Sequence, residues 1–166
     1  MTDADVEFAW LFRTEYEAVV RTVYLILHDR ERARDVTQDA FTELLTRWGK
    51  ISRYERPETW VRRVAIRMAV RLVNRERHRP WVERELDPTT LPQPADIDLL
   101  RAIRQLPPKH RAAIVLFYFE DQPVAEVADV LGLSPGATKV TLHRARRKLA
   151  LLLGEEAAEE EANDVL

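Results

Sequence analysis

The chain is predicted to be all-α, two small helical domains joined by a flexible linker, on three observations. Its apolar residues recur at steps of three and four, the period of one helix face. Alternating β-branched residues are nearly absent, and only 4 glycines interrupt the 166 residues. The one long stretch without apolar periodicity lies mid-chain, where Pro80, Pro88, Pro92 and Pro94 stand among acidic and small polar residues; this composition suits a linker. A content of 46% hydrophobic and 33% charged residues is too apolar for a disordered chain. The predicted divisions are a first domain over 1–79, a linker over 80–95, a second domain over 96–154 and an acidic, disordered tail over 155–166.

The first helix carries Phe8, Phe12, Tyr16, Val19, Val20, Val23, Tyr24 and Leu27 as one continuous face and stops near His28. Asp29 can cap a second helix, because a carboxylate there accepts from the first free backbone N–H groups. The apolar row of that helix is Val36, Ala40, Phe41, Leu44, Leu45 and Trp48, and Gly49 is expected to end it in a left-handed conformation. Residues 49–56 read as a polar loop. Pro57 suits the first turn of a third helix over about Glu58 to His78, where its missing donor costs nothing. Its expected core face is Trp60, Val61, Val64, Ala65, Met68, Ala69, Leu72 and Val73.

After the linker come a short helix over about Asp96 to Leu106, the breaker Pro107-Pro108 and a strongly apolar helix through Val115–Phe119. Pro123 then opens a helix with Val124, Val127, Ala128 and Leu131 on one face. Gly132 ends it, and Ser134-Pro135 begins the next as cap and first-turn residue. The result is two helices joined by a tight turn. In the second, Thr138, Leu142, Ala145, Leu149 and Leu152 fall on the buried side, leaving Gly136, Val140, His143, Arg144 and Arg147 opposite, flanked by Lys139, Arg146 and Lys148. A cationic outer face suits a helix that enters the major groove, where phosphate contacts position it and its N-terminal residues reach base edges. The alternative is a helical hairpin whose basic face is merely solvated; the small Ala128, the glycine four residues later and the basic second helix favour DNA.

Helix three carries a second cationic face, with Arg63, Arg67, Arg71, Arg75 and Arg79 at every fourth position. Like charges so spaced oppose helix formation by roughly 0.2 to 0.5 kcal/mol per pair, so a compensating anion such as a nucleic-acid backbone is expected. The loop Lys50-Ile51-Ser52-Arg53-Tyr54-Glu55-Arg56 mixes cations, a ring and a hydroxyl, a composition that can hold an unpaired base. Trp60 is expected in the core rather than as a stacking platform.

Overall charge conceals this division. The net formal charge is −2, but residues 155–166 hold six acids and no base, so residues 1–154 stand at +4. The absence of cysteine excludes a disulfide scaffold and any thiolate metal site. No signal peptide and no membrane-spanning run is read in the sequence, so a cytoplasmic protein is expected. His28, His78, His110 and His143 are scattered among segments, the first three as surface or helix-end residues. With no glycine-rich phosphate loop and no nucleophile elbow, neither an enzyme nor a metal or cofactor is expected.

The segments Asp35-Val36-Thr37-Gln38-Asp39-Ala40-Phe41, Trp60-Val61-Arg62-Arg63-Val64-Ala65, Leu106-Pro107-Pro108-Lys109-His110-Arg111, Gly132-Leu133-Ser134-Pro135-Gly136 and Leu142-His143-Arg144-Ala145-Arg146 occur in this order. Together they resemble the group IV, extracytoplasmic-function (ECF) sigma factors of bacterial RNA polymerase, over about residues 8 to 153. The resemblance implies a sigma region 2-like bundle and a region 4-like helix-turn-helix. It implies that Asp35, Gln38 and Asp39 meet the clamp helices of the polymerase β′ subunit while Phe41 stays in the core. Lys50, Ser52, Arg53, Tyr54 and Arg56, with Arg63, Arg67, Arg71 and Arg75, would act on the minus-ten element as it melts. Ser134, Gly136, Lys139, Val140, His143, Arg144 and Arg147 would read the minus-thirty-five element, and this domain would rest on the β flap. Core polymerase and promoter DNA are the implied partners, with an anti-sigma factor that the sequence does not name. Arg67 and Arg71 replace the asparagine and aspartate common in the family, which favours phosphate contact. Val140 and Thr141 stand where serine and arginine are frequent, which points to a different upstream preference. The competing reading is a free-standing helix-turn-helix regulator that binds operators as a homodimer; it leaves the arginine row and the Asp35–Phe41 segment unused.

Overall fold

The computed structural model describes residues 1–76 and 94–154, the side chains of 76 and 94–96 excepted. The chain divides into two compact units, residues 1–81 and 82–166. Among the described residues every regular element is helical, as the 3.6-residue periodicity predicts.

The first unit begins with α1 (Asp3–Leu27), whose N-terminus is closed by Thr2 and Asp5 in a reciprocal capping box. The helix ends at His28, which adopts a left-handed conformation (φ 51°) and donates its backbone N–H to Tyr24. Asp29 then caps α2 (Arg30–Thr46), its side chain accepting from the Arg32 N–H. A short α3 (Trp48–Ile51) follows, and Pro57 starts α4 (Pro57–Glu76). Helices α1, α2 and α4 pack on one another around Val19, Val23, Ile26, Ala33, Ala40, Phe41, Leu44, Val61, Ala65 and Ala69. Fully burying one of the larger of these side chains is worth roughly 1.5 to 3 kcal/mol.

The structure corrects several sequence expectations in this unit. Gly49 does not end α2 in a left-handed conformation; it lies inside α3, and among the described residues the glycines with positive φ are Gly132 and Gly154. The segment 49–56 is not wholly a polar loop, because α3 winds its start and buries Ile51. On α1, Leu11 is buried while Phe12 is 37% exposed, stacked by its edge on Phe41. On α4 the inward face is rotated: Ile66 and Val70 are buried with Val61, Ala65 and Ala69, whereas Trp60, Val64, Met68, Leu72 and Val73 are only half-buried. The apolar residues of α4 cover more than one face, so periodicity alone could not say which row turns inward.

In the second unit α5 (Pro94–Arg104) is followed by α6 (Pro108–Ile114), and α6 continues as one π-helical stretch, Val115–Phe119. Helix α7 (Val124–Leu131) ends at Gly132 with φ 65°, and α8 (Pro135–Leu153) starts one short turn later. The Ser134 hydroxyl accepts from Ala137 N–H at 3.1 Å, as its predicted capping role requires. Helix α8 packs on α5, α6 and α7 through Thr138, Leu142 and Ala145. Leu149 is half-buried and Leu152 is 38% exposed, so the inward line of α8 ends one turn earlier than expected. The core is completed by Leu100, Ile103, Leu106, Ile114, Leu116 and Val127. The stretch from 80 to 93, most of the predicted linker, the end predicted for α4 at His78 and the acidic tail lie outside the described residues.

Candidate nucleic-acid interface

Three groups of side chains reach the surface where the sequence places functional residues. The first is on α2. Burial of Val36, Thr37, Ala40, Phe41 and Leu44 fixes the inner side of the helix and leaves Asp35, Gln38 and Asp39 exposed together. Leu45 is 53% exposed, although periodicity assigns it to the core row. Leu44 takes the inward position in this last turn of α2, and Leu45, about 100° further round, is left outside. The exposed polar face of α2 therefore includes an apolar side chain.

The second group joins the end of α3 to α4. Backbone bonds from Ser52 N–H to Trp48 and from Tyr54 N–H to Ile51, both 2.9 Å, wind the segment into a turn anchored by buried Ile51. The turn displays Lys50, Arg53, Tyr54 and Arg56, with Ser52 half-buried. Arg56 is paired with Glu58 at 3.1 Å. Along α4, Arg63 and Arg67 are half-buried and Arg71 and Arg75 exposed; Arg79 is outside the described residues. Arg62, which belongs to a neighbouring row, forms an ion pair with Glu15 of α1 and so helps to dock α4.

An open groove runs between α2 and α4, lined in part by Arg47, Trp60, Met68, Arg67 and Arg71. Arg47 lies 6.0 Å from the centre of the Trp60 ring and bonds Glu43 at 3.1 Å. Trp60 is thus not a closed core residue as expected; it shows part of its ring to a cationic groove. Sequence reasoning missed Arg47 because it precedes the segment that carried the loop composition.

The third group is on α8, where Gly136, Lys139, Val140, Arg144 and Arg147 are exposed and His143 is half-buried. Val140 keeps 44% of its surface. Arg146 departs from the expected cationic flank: it is only half exposed, and its guanidinium lies 5.5 Å from the centres of both the Phe117 and Tyr118 rings. It therefore ties α8 to the π-helical stretch. Beside α8, His110 is held below the ordinary imidazole pKa by burial and by the positive charges of Arg144 and Lys148. His28 is at a helix end, as expected, but buried rather than on the surface. Among the described residues no three His, Asp or Glu side chains gather so as to hold a metal ion, and no helix is long and apolar enough to cross a membrane.

The chain matches two family models, Sigma-70 region 2 over residues 11–79 and Sigma-70 region 4 over residues 96–149. It is 34% identical over 157 residues to the RNA polymerase sigma-E factor of Streptomyces antibioticus, covering 87% of this chain and 83% of that protein. The sigma-E factor of Streptomyces coelicolor is 32% identical, with 87% and 84% covered. The ECF RNA polymerase sigma factor SigM of Mycobacterium tuberculosis is 29% identical, with 89% and 77% covered. Among solved structures, the sigma factor RpoE in complex with the anti-sigma factor NepR from Bartonella quintana shares the fold, with a TM-score of 0.73 at 18% identity, over 90% of this chain and 98% of that one.

Proposed function

This chain belongs to the ECF branch of the sigma-70 family and is an RNA polymerase sigma factor, and from that premise we propose how its residues divide the work of promoter recognition. Asp35, Gln38 and Asp39 on α2 bind the clamp helices of the polymerase β′ subunit. The turn bearing Lys50, Ser52, Arg53, Tyr54 and Arg56 captures the non-template strand of the minus-ten element as it opens, and Arg63, Arg67, Arg71 and Arg75 hold its backbone. Helix α8 enters the major groove of the minus-thirty-five element through Ser134, Gly136, Lys139, Val140, His143, Arg144 and Arg147. The second unit also rests on the β flap.

The observation that carries this division is the sorting of charge by surface. The exposed face of α2 is mixed, with Asp35, Gln38 and Asp39 beside Arg34 and Leu45, whereas the exposed faces of α4 and α8 are cationic. Phosphate contact requires the latter and gains nothing from the former. The protein acts by binding alone, without a catalytic step of its own, in the cytoplasm where polymerase works. An anti-sigma protein is a further proposed partner; RpoE, which shares the fold, is seen in complex with one. Membership of the family does not favour the homodimeric regulator.

Reconstitution with bacterial core polymerase tests the assignment. Charge reversal at Asp35 and Asp39 is expected to weaken capture of core polymerase with helical content unchanged. Full retention of polymerase binding overturns the role given to α2. On a closed promoter, Arg53→Ala and Tyr54→Ala are expected to slow open-complex formation. If a pre-opened minus-ten bubble restores the rate, the turn acts in melting; if both templates suffer, it holds the base. Normal rates on both overturn either role.

A further inference from the structure

Of the residues that α8 turns outward, Lys139, Val140, His143, Arg144 and Arg147, only Val140 is apolar. Thr138, Leu142 and Ala145 face the core. At 100° per residue, Val140 lies about 200° around the helix from Thr138, close to the middle of the outward face. Gly136, one turn before it, is exposed, and a Cβ added there would meet nothing within 4 Å, so the backbone can approach DNA closely. Val140 is therefore the first side chain on the outermost line of the helix.

The nearby hydroxyls each make a hydrogen bond within the helix. Ser134 Oγ accepts from Ala137 N–H at 3.1 Å, and the Thr138 and Thr141 hydroxyls donate to the carbonyls of Ser134 and Ala137, each at 2.9 Å. At the centre of the face stands the isopropyl group of Val140, with Lys139 and Arg144 to either side and the exposed methyl of Ala137 one turn earlier toward the edge. An isopropyl group cannot distinguish base edges by hydrogen bonding. The group on the major-groove edge of a base pair that suits an apolar partner is the C5 methyl of thymine.

We propose that Val140, seconded by Ala137, reads a thymine methyl in the upstream promoter element, and that this contact sets the chain's sequence preference. This rests on the placement of α8 in the major groove given above. The methyl is removed from water against the isopropyl group, while the adjacent cations hold the backbone in register. Transfer of one methyl-sized group, on the scale of a buried CH2, corresponds to about a four-fold change in affinity.

The test uses holoenzyme assembled from the full-length chain and bacterial core polymerase. A preferred upstream element is first selected from a randomised library, and its thymines are then replaced one at a time by deoxyuridine, which removes only the methyl. One position is expected to lose about four-fold in affinity, and Val140→Ala is expected to bring the thymine-to-uracil ratio there close to one. If Val140→Ala shows the same thymine-to-uracil loss as the parent, or if selection retains no thymine while Arg144→Ala still weakens upstream binding, the methyl contact is overturned and the placement of α8 stands. If Arg144→Ala and Val140→Ala both leave affinity and selected sequence unchanged, the placement itself falls, and the methyl contact with it. Val140 is exposed, so circular dichroism of Val140→Ala should match the parent and exclude a folding defect.

Discussion

Arg111 is only 4% exposed, and its guanidinium donates to the carbonyl oxygens of Arg104 at 2.8 Å and Leu106 at 3.1 Å. It thereby satisfies acceptors left open where α5 ends. Burial, with the charge of Arg104, pushes its pKa down to about 10, so it remains charged and donating at neutral pH. Arg111→Met keeps much of the aliphatic stem but removes the donors. It is expected to destabilise the protein by roughly 1 to 3 kcal/mol, the cost of leaving buried acceptors unpaired, measured by denaturant unfolding. His110 makes a different prediction. Its folded pKa lies below 6.5, so the unfolded chain takes up the proton first on acidification. The stability contributed by neutral His110 is present above pH 6.5 and is lost as pH falls from there through the lowered folded value. Arg144→Ala removes one of the two cations that repel the protonated imidazole, and NMR titration should show the His110 pKa moving upward.

At the scale of elements, α4 shows how a helix chooses its inner face. Ile66 and Val70 are buried at 2% and 7% exposure, while Val64 and Met68 line the groove beside Trp60. Ile66→Ala is expected to cost about 2 to 5 kcal/mol of stability, and Met68→Ala considerably less, because the cavity term arises only in a closed environment. Equal losses by thermal unfolding would mean that the groove is closed in solution. The turn between α7 and α8 depends on Gly132, whose φ of 65° an L side chain adopts at a cost. Nothing lies near its Cβ position, so Gly132→Ala should destabilise through backbone strain alone, by roughly 1 to 2 kcal/mol.

At the scale of the whole molecule, the net charge of −2 says little, because residues 155–166 hold six acids and no base while residues 1–154 stand at +4. Binding of holoenzyme to promoter DNA should weaken steeply with salt, and loss of Arg147 as a phosphate contact should reduce the slope of log affinity against log salt by about one unit. The six acids of residues 155–166 are expected to compete with DNA for the cationic face of α8. Deleting them should strengthen DNA binding by the free protein at low ionic strength. The gain should shrink near 0.5 M salt, where the Debye length is about 4 Å. Equal affinities at low salt would leave the segment without that role.

Local chemistry along the chain is enough to establish the helical class and most helix starts and stops, whereas the family rests on the resemblance of whole motifs such as Asp35–Phe41. The signals are caps at Asp29 and Ser134, proline at Pro57 and Pro135, a left-handed glycine at Gly132, and apolar spacing at the helical period. The same spacing places Asp35, Gln38 and Asp39 outside, because they lie off the stripe of Val36, Ala40 and Leu44. Tertiary structure decided where such a stripe is broad. Trp60, Val64 and Met68 compete with Ile66 and Val70 for the inside of α4, and packing against α1 and α2 turned the latter pair inward. It also set Arg146 against Phe117 and Tyr118 and drew Arg111 into the core. A charged side chain so placed is intelligible only once the rings or carbonyls that receive it are in position, and those partners come from elements that periodicity describes one at a time.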